Sequence, residues 1–297
     1  MAEPAVRLIC DARVAIGESP AWLDDRVYWT DPVSRRLLSV AGDGELQSVA
    51  TTSAVWSLAR STDGLLGALD DRFCAVSKSG DISAGPQATI DPGCRFNDMT
   101  IDAGGGLWVG VMHRGILATR GAIFHARSVH AKPTRVAAGL GVPNGMKLSA
   151  DGCTLYVVDT LERTLLAYPV DGDQLGEPVI VSDFLGLPGK PDGMTLAADG
   201  TFWVAMWGGS CIVQLAADGA FLRKVAVPAP HVSSLCFASA DRLLVTTSRM
   251  RLSPQALSDH PGSGGLFEIL LSAKVTPFAD DSSKGPGRLS TEKTEHA

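Results

Sequence analysis

The chain repeats one polar and apolar pattern: a heading residue, a short apolar run, an Asp-Gly-like turn and a second apolar run. Two passages show it most plainly, Asn144-Gly-Met-Lys-Leu-Ser-Ala-Asp-Gly-Cys-Thr-Leu-Tyr-Val-Val-Asp159 and Asp192-Gly-Met-Thr-Leu-Ala-Ala-Asp-Gly-Thr-Phe-Trp-Val-Ala-Met206. Runs such as 107–112, 155–158 and 243–247 are rich in β-branched and aromatic residues and too short for helices, so the pattern predicts strands joined by tight turns. Laying the copies in register puts Glu18, Trp56, Asn97, Asn144, Asp192 and Ser233 at the head of each, 38 to 48 residues apart. Ten residues further on, the second strand holds Tyr28, Leu66, Leu107, Leu155 (one residue late), Phe202 and Leu243. That period is the spacing of propeller blades. The expectation is an all-β fold, a six-bladed β-propeller with four-stranded antiparallel blades, forming one domain over residues 1–279. Residues 265–271 read as the third strand of the last blade and residues 6–10 as its outer strand, a pairing that closes the ring and covers a strand edge. Residues 280–297 are polar and turn-rich and read as a disordered tail.

Composition changes this picture little. With 297 residues, 45% hydrophobic and 20% charged, the chain is ordinarily globular, and its 32 Gly and 17 Pro suit many turns. A formal charge of -6 with no basic run excludes a nucleic-acid surface. No apolar run approaches the roughly 20 residues of a membrane helix. The N-terminus lacks the basic and apolar regions of a secretory signal. Six scattered cysteines with no Cys-x-x-Cys pair point to reduced thiols and a cytoplasmic protein.

In a propeller the first strand of each blade lines the central channel, so the heading residues should converge near one axis. Carboxylate, carboxamide and hydroxyl groups there are hard oxygen donors suited to calcium, magnesium or manganese. The competing reading is that they cap turns, since Asn-Gly and Asp-Gly are turn pairs; Glu18, followed by Ser-Pro, is in register without being a turn former. His113 and His231 each stand near the expected pocket mouth, and Trp207 and Trp56 either wall the pocket or pack between blades. Asp98 either ligates or orients Asn97. Ser233 lacks a nucleophile elbow, and the histidines lack zinc-ligand spacing.

Gly17-Glu-Ser-Pro-Ala-Trp22, Arg95-Phe-Asn-Asp98, Pro143-Asn-Gly145, Pro191-Asp-Gly-Met194 and Trp203-Val-Ala-Met-Trp-Gly-Gly209, in that order, resemble the motif set of the gluconolactonase, regucalcin (senescence marker protein) and lactonase-related family. Within it, residues 159–165, 228–232 and 257–266 resemble bacterial arabinono-, xylono- and galactonolactonases. The resemblance implies that Glu18, Asn144 and Asp192 hold one divalent metal ion, with calcium, manganese, magnesium, zinc and iron all open and calcium favoured by the oxygen ligands. It also implies that Asp192 is the general base and that Arg95 and Asn97 contact sugar hydroxyls or the ring oxygen; His113 and Trp207 complete the expected substrate-binding set. The implied activity is hydrolysis of a sugar lactone by a monomer or weak homo-oligomer. The alternatives are an aryl-ester or organophosphate hydrolase on the same scaffold and a non-catalytic calcium-binding propeller. One departure stands out: the stretch from Arg114 to Gly121, including Arg120, lacks the Glu that some members use to bind the sugar.

Overall fold

The computed structural model describes residues 4–41 and 44–271 of the chain. The expected tail at 280–297 and the expected domain end at 279 lie outside the described residues. Over these residues the architecture is all-β and propeller-like, with one short helix, α1 (Pro254–Asp259), capped by the Ser253 hydroxyl on the Ala256 amide.

Strand β1 (Ala5–Cys10) precedes a four-stranded sheet of β2 (Glu18–Leu23), β3 (Arg26–Asp31), β4 (Arg36–Ala41) and β5 (Leu46–Ala50). The next two sheets follow in the same simple order: β6 (Ser57–Ser61), β7 (Gly64–Ala68), β8 (Phe73–Val76) and β9 (Ile82–Ala84), then β10 (Cys94–Ile101), β11 (Leu107–His113), β12 (Gly121–Ala126) and β13 (Thr134–Leu140). A five-stranded sheet adds β14 (Pro143–Leu148), β15 (Thr154–Asp159) and β16 (Thr164–Asp171), with both β17 (Gln174–Leu175) and β18 (Val179–Asp183) pairing β16. An eight-stranded sheet contains β19 (Lys190–Leu196), β20 (Phe202–Trp207), β21 (Cys211–Leu215), β22 (Phe221–Ala226), β23 (His231–Ser239), β24 (Arg242–Ser248), β25 (Leu266–Leu270) and β1. Its two halves meet at a single pair, Trp207 opposite His231. The expected closure by the N-terminal segment is present, since β1 pairs antiparallel with β25.

The apolar pattern explains how the sheets stack. Tyr28, Leu66, Leu107, Leu155, Phe202 and Leu243, the residues ten beyond each head, all lie in second strands. Those strands are sandwiched on both faces: every residue of β11 but the last is buried, whereas the outer strands β5, β13, β18 and β22 are largely exposed. Apolar layers fill each gap between neighbours, such as Trp108 and Ile123 against Met146 and Leu155, or Val158 and Leu165 against Met194 and Val204. Val27, Trp29 and Leu38 pack on Leu244 and Leu266, joining the first sheet to the last. Each such large side chain contributes about 1.5–3 kcal/mol on burial.

The hairpin turns have one recurring chemistry. Asp151, Asp199 and Asp218 each accept the amide two residues on (3.0 Å in every case), and the following glycines, such as Gly200 at φ +82, take the left-handed conformation.

Candidate functional site

The heading residues are not in turns. All but Trp56 lie at β-bulges of the first strands, where the register slips between Glu18 and Ala21, Phe96 and Met99, Asn144 and Met146, Pro191 and Met194, and Val232 and Ser234. A bulge gives one strand an extra residue and re-aims its side chain, which is how strands buried along their length can present polar groups to a common centre. In β2 the turn of the backbone falls on Ser19, at φ +47. Strand β6 is regular from Ser57 to Ser61, and there Ser57 rather than Trp56 enters the polar ring.

Two glycines let these strands meet. A Cβ on Gly145 would lie 2.6 Å from Met194 Cβ and 2.7 Å from the Asp192 carbonyl oxygen, and one on Gly193 would lie 2.5 Å from Ser234 Oγ. Only hydrogen fits between them, so Asn144 and Asp192 are drawn together. Asn144 Nδ2 donates to Asp192 Oδ1 and, at 3.2 Å, to Thr160 Oγ1, while its Oδ1 has no hydrogen-bond partner among the described residues.

Asp192 is buried and Glu18 half-buried. Burial holds the Glu18 carboxyl well above the usual carboxylate range, helped by Asp192 and Asp98 and opposed by Arg95. Burial likewise raises Asp192 well above that range, with Asp98 adding to the effect and the Asn144 amide opposing it. Asp98, left undecided by the sequence, is therefore a third carboxylate of the site. Its Oδ1 accepts Ser57 Oγ (2.7 Å), Ser19 Oγ (3.2 Å) and the Met99 amide (2.9 Å). Neither serine was expected here; Ser57 stood one residue beyond the head chosen from the repeat, and Ser19 beside Glu18, with nothing in their types to mark them.

The opposing cation is Arg95. Burial brings its guanidinium down to about 10, with Glu18 acting to keep the charge. One terminal nitrogen donates to Asn97 Oδ1 (2.8 Å) and the Phe96 carbonyl (2.7 Å), and the guanidinium lies 3.6 Å from the Trp56 ring centroid. Asn97 Nδ2 donates to the Pro143 carbonyl at 2.9 Å, so this carboxamide orients Arg95 and ties β10 to β14.

The remaining expected residues have contacts of their own. His113 accepts the Gly115 amide on Nδ1 (3.0 Å) and packs on Gly93. Trp207 stacks on His231 at 4.3 Å and 13°; burial lowers the His231 imidazole, and its Nδ1 is buried without a hydrogen bond. Arg114 pairs with Asp70 at 2.8 Å, and the Arg120 carbonyl receives the Cys94 thiol at 3.8 Å.

Among the described residues, no three His, Cys, Asp or Glu side chains gather closely enough to hold a metal ion by themselves. The set here is two carboxylates and a carboxamide oxygen, with Asp98 acting on both carboxylates. Acids crowded together out of water are a site short of positive charge, and an all-oxygen donor set fits a hard divalent cation.

Known proteins resemble this chain in sequence and in fold. The family described as "SMP-30/Gluconolactonase/LRE-like region" matches residues 16–249. A putative sugar lactone lactonase of Rhizobium meliloti is 30% identical over 278 residues, covering 90% of this chain and 94% of its own. A pentonolactonase of Haloferax volcanii is 33% identical over 252 residues, covering 82% and 85%. The crystal structure of a calcium-binding protein, regucalcin, from Agrobacterium tumefaciens superposes with a TM-score of 0.82 at 27% identity, covering 94% of this chain and 99% of that one. A gluconolactonase from Xanthomonas campestris shares the fold, with a TM-score of 0.73 at 21% identity over 90% of each chain.

Proposed function

This chain belongs to the SMP-30/gluconolactonase/LRE-like family, and we propose that it hydrolyses a sugar lactone, opening an aldonolactone to its aldonic acid. The observation that carries the reading is the meeting of Glu18, Asn144 and Asp192 in one buried, acid-rich centre faced by Arg95. The lactonase names of relatives that cover most of this chain support it.

Glu18, Asn144 and Asp192 would hold one divalent cation, calcium by preference for oxygen donors. Bound there, the ion would supply Lewis acidity to a lactone carbonyl and to a water. Asp192, once deprotonated, takes the proton from the attacking water; the ring C–O bond then breaks, and the proton passes to the departing alkoxide. Glu18 and Asp98 keep the centre negative, and Asn144 fixes the orientation of Asp192. Arg95 has N–H groups free of described partners, and with these it grips sugar hydroxyls, with Asn97 aiming it. His113 and Trp207 are assigned to the outer part of the substrate path.

The scaffold is best counted as six four-stranded blades in one domain. Support comes from the eight-stranded sheet, whose halves share only the pair Trp207 and His231, and from the apolar layers between successive four-strand runs. The six free cysteines support a reducing, cytoplasmic setting. A monomer or weak homo-oligomer is the expected state in sizing experiments.

The decisive experiment is a pH-stat assay of pentono- and hexonolactones against aryl esters and organophosphates, on metal-stripped protein with each cation added back. Sugar lactones should be opened in a metal-dependent way, above the spontaneous rate. Full activity in protein shown to be metal-free would overturn the metal's role. Tight calcium binding without any turnover would favour a binding protein, in line with the calcium-binding regucalcin of similar fold.

A further inference from the structure

We propose that Asp70 is a positioning residue for Arg95, and that through Arg95 it sets the preference for lactones bearing ring hydroxyls; the substrate part of this rests on the lactonase reading above. Asp70 lies in the turn between β7 and β8 and was not singled out by any sequence pattern. Three elements converge on it. Its Oδ1 accepts the Trp56 indole N–H at 2.6 Å and pairs with an Arg114 terminal nitrogen at 2.8 Å. Its backbone carbonyl accepts the amide of Phe96, the residue after Arg95, at 2.7 Å.

The result is a mount for one guanidinium. Trp56, held by its N–H, presents its ring face 3.6 Å from the Arg95 guanidinium carbon, while Arg114 stands 5.8 Å from the same ring. From the other side the Phe96 carbonyl and Asn97 hold one terminal nitrogen of Arg95. The planar fork is thereby fixed with one edge left over, the arrangement needed to donate two hydrogen bonds to neighbouring hydroxyls. Arg114 acts against the charge on Arg95, and Asp70 offsets it.

Asp70 is exposed, and its pair with Arg114 taken as an ordinary surface ion pair would contribute little to stability. That bland role predicts a small loss of stability and no change in substrate preference. The positioning role predicts selectivity. Wild type, Asp70→Ala and Asp70→Asn are assayed on a sugar lactone and on an unsubstituted five-membered lactone. Asp70→Ala should raise KM for the sugar lactone about tenfold with kcat changed less than about threefold, and leave KM for the unsubstituted lactone unchanged. Asp70→Asn, which keeps an acceptor for the indole N–H, should recover most of the loss. Equal losses on both lactones, or no loss on either, would overturn the proposal. Should the wild type open no lactone, the lactonase reading fails by itself; positioning is then tested by a crystal structure of Asp70→Ala, in which Arg95 still in its wild-type place would overturn it.

Discussion

The dipeptide Asp-Gly occurs twice within nine residues and does opposite things. At Asp199-Gly200 it makes a hairpin turn: the exposed carboxylate accepts the Thr201 amide and hydroxyl at 3.0 and 2.7 Å, and the glycine sits at φ +82, where an added Cβ would meet only the Ala217 Cβ, at 3.3 Å. At Asp192-Gly193 it makes a bulge inside a buried strand: the carboxylate is sunk among other acids, and the glycine is there because Ser234 Cα stands 2.7 Å from where a Cβ would be. One glycine supplies backbone freedom, the other supplies room. The chemistry of the dipeptide is therefore set by what packs against it.

The largest break in that comparison is Asp192→Asn. Turnover of a sugar lactone should fall by about 10²-fold or more, as expected for loss of a general base, with the fold kept. The same variant tests the electrostatics. In metal-stripped protein the raised Glu18 and Asp192 carboxyls retain protons that the unfolded chain has released. The contribution of these two groups to stability should thus be greatest below the ordinary carboxylate pKa of about 4 and be lost as pH rises through the raised values. Thermal melts of stripped Asp192→Asn should show a shallower fall; a slope as steep as wild type would remove Asp192 from the account. Next in size is Gly193→Ala, whose Cβ meets the Ser234 backbone. Denaturant titration should show a loss of about 3 kcal/mol, accompanied by loss of activity as Asp192 shifts. The smallest is Gly200→Ala, with a cost of about 1 kcal/mol from the left-handed backbone and kcat/KM unaltered. Equal effects at both glycines would erase the distinction.

Much of the ring was legible from the sequence because second strands, buried on both faces, must be apolar, and their spacing is the spacing of the sheets. The pairing of residues 6–10 with the last sheet followed from the need to cover an edge. The bulges were not legible. An extra residue in a strand leaves the run of apolar positions looking like a strand entering from a turn, which is why Asn144-Gly145 and Asp192-Gly193 also allowed a reading as turn pairs. The second copy misled by one residue for the opposite reason: β6 has no bulge, so Ser57 took the place assigned to Trp56. Asp98 and Asp70 were ambiguous or silent because an acid in a loop or after an Asn is commonplace, and only the convergence of distant strands gives either a role. Asn97 was expected to touch substrate; its carboxamide is held in place by Arg95 and the Pro143 carbonyl.

The seam between β1 and β25 bears on how the protein comes into being. Arg7 and Arg242 clasp the buried Glu268 there, and Arg7 and Glu268 are 261 positions apart in the chain. During synthesis β1 emerges first and must wait, unpaired, until nearly every other strand has left the ribosome. Contacts of such long sequence separation form slowly, so every nascent copy passes through an open-ringed stage with the first strand's edge uncovered. The step that finishes the ring is also the step at which chaperones and aggregation compete for it.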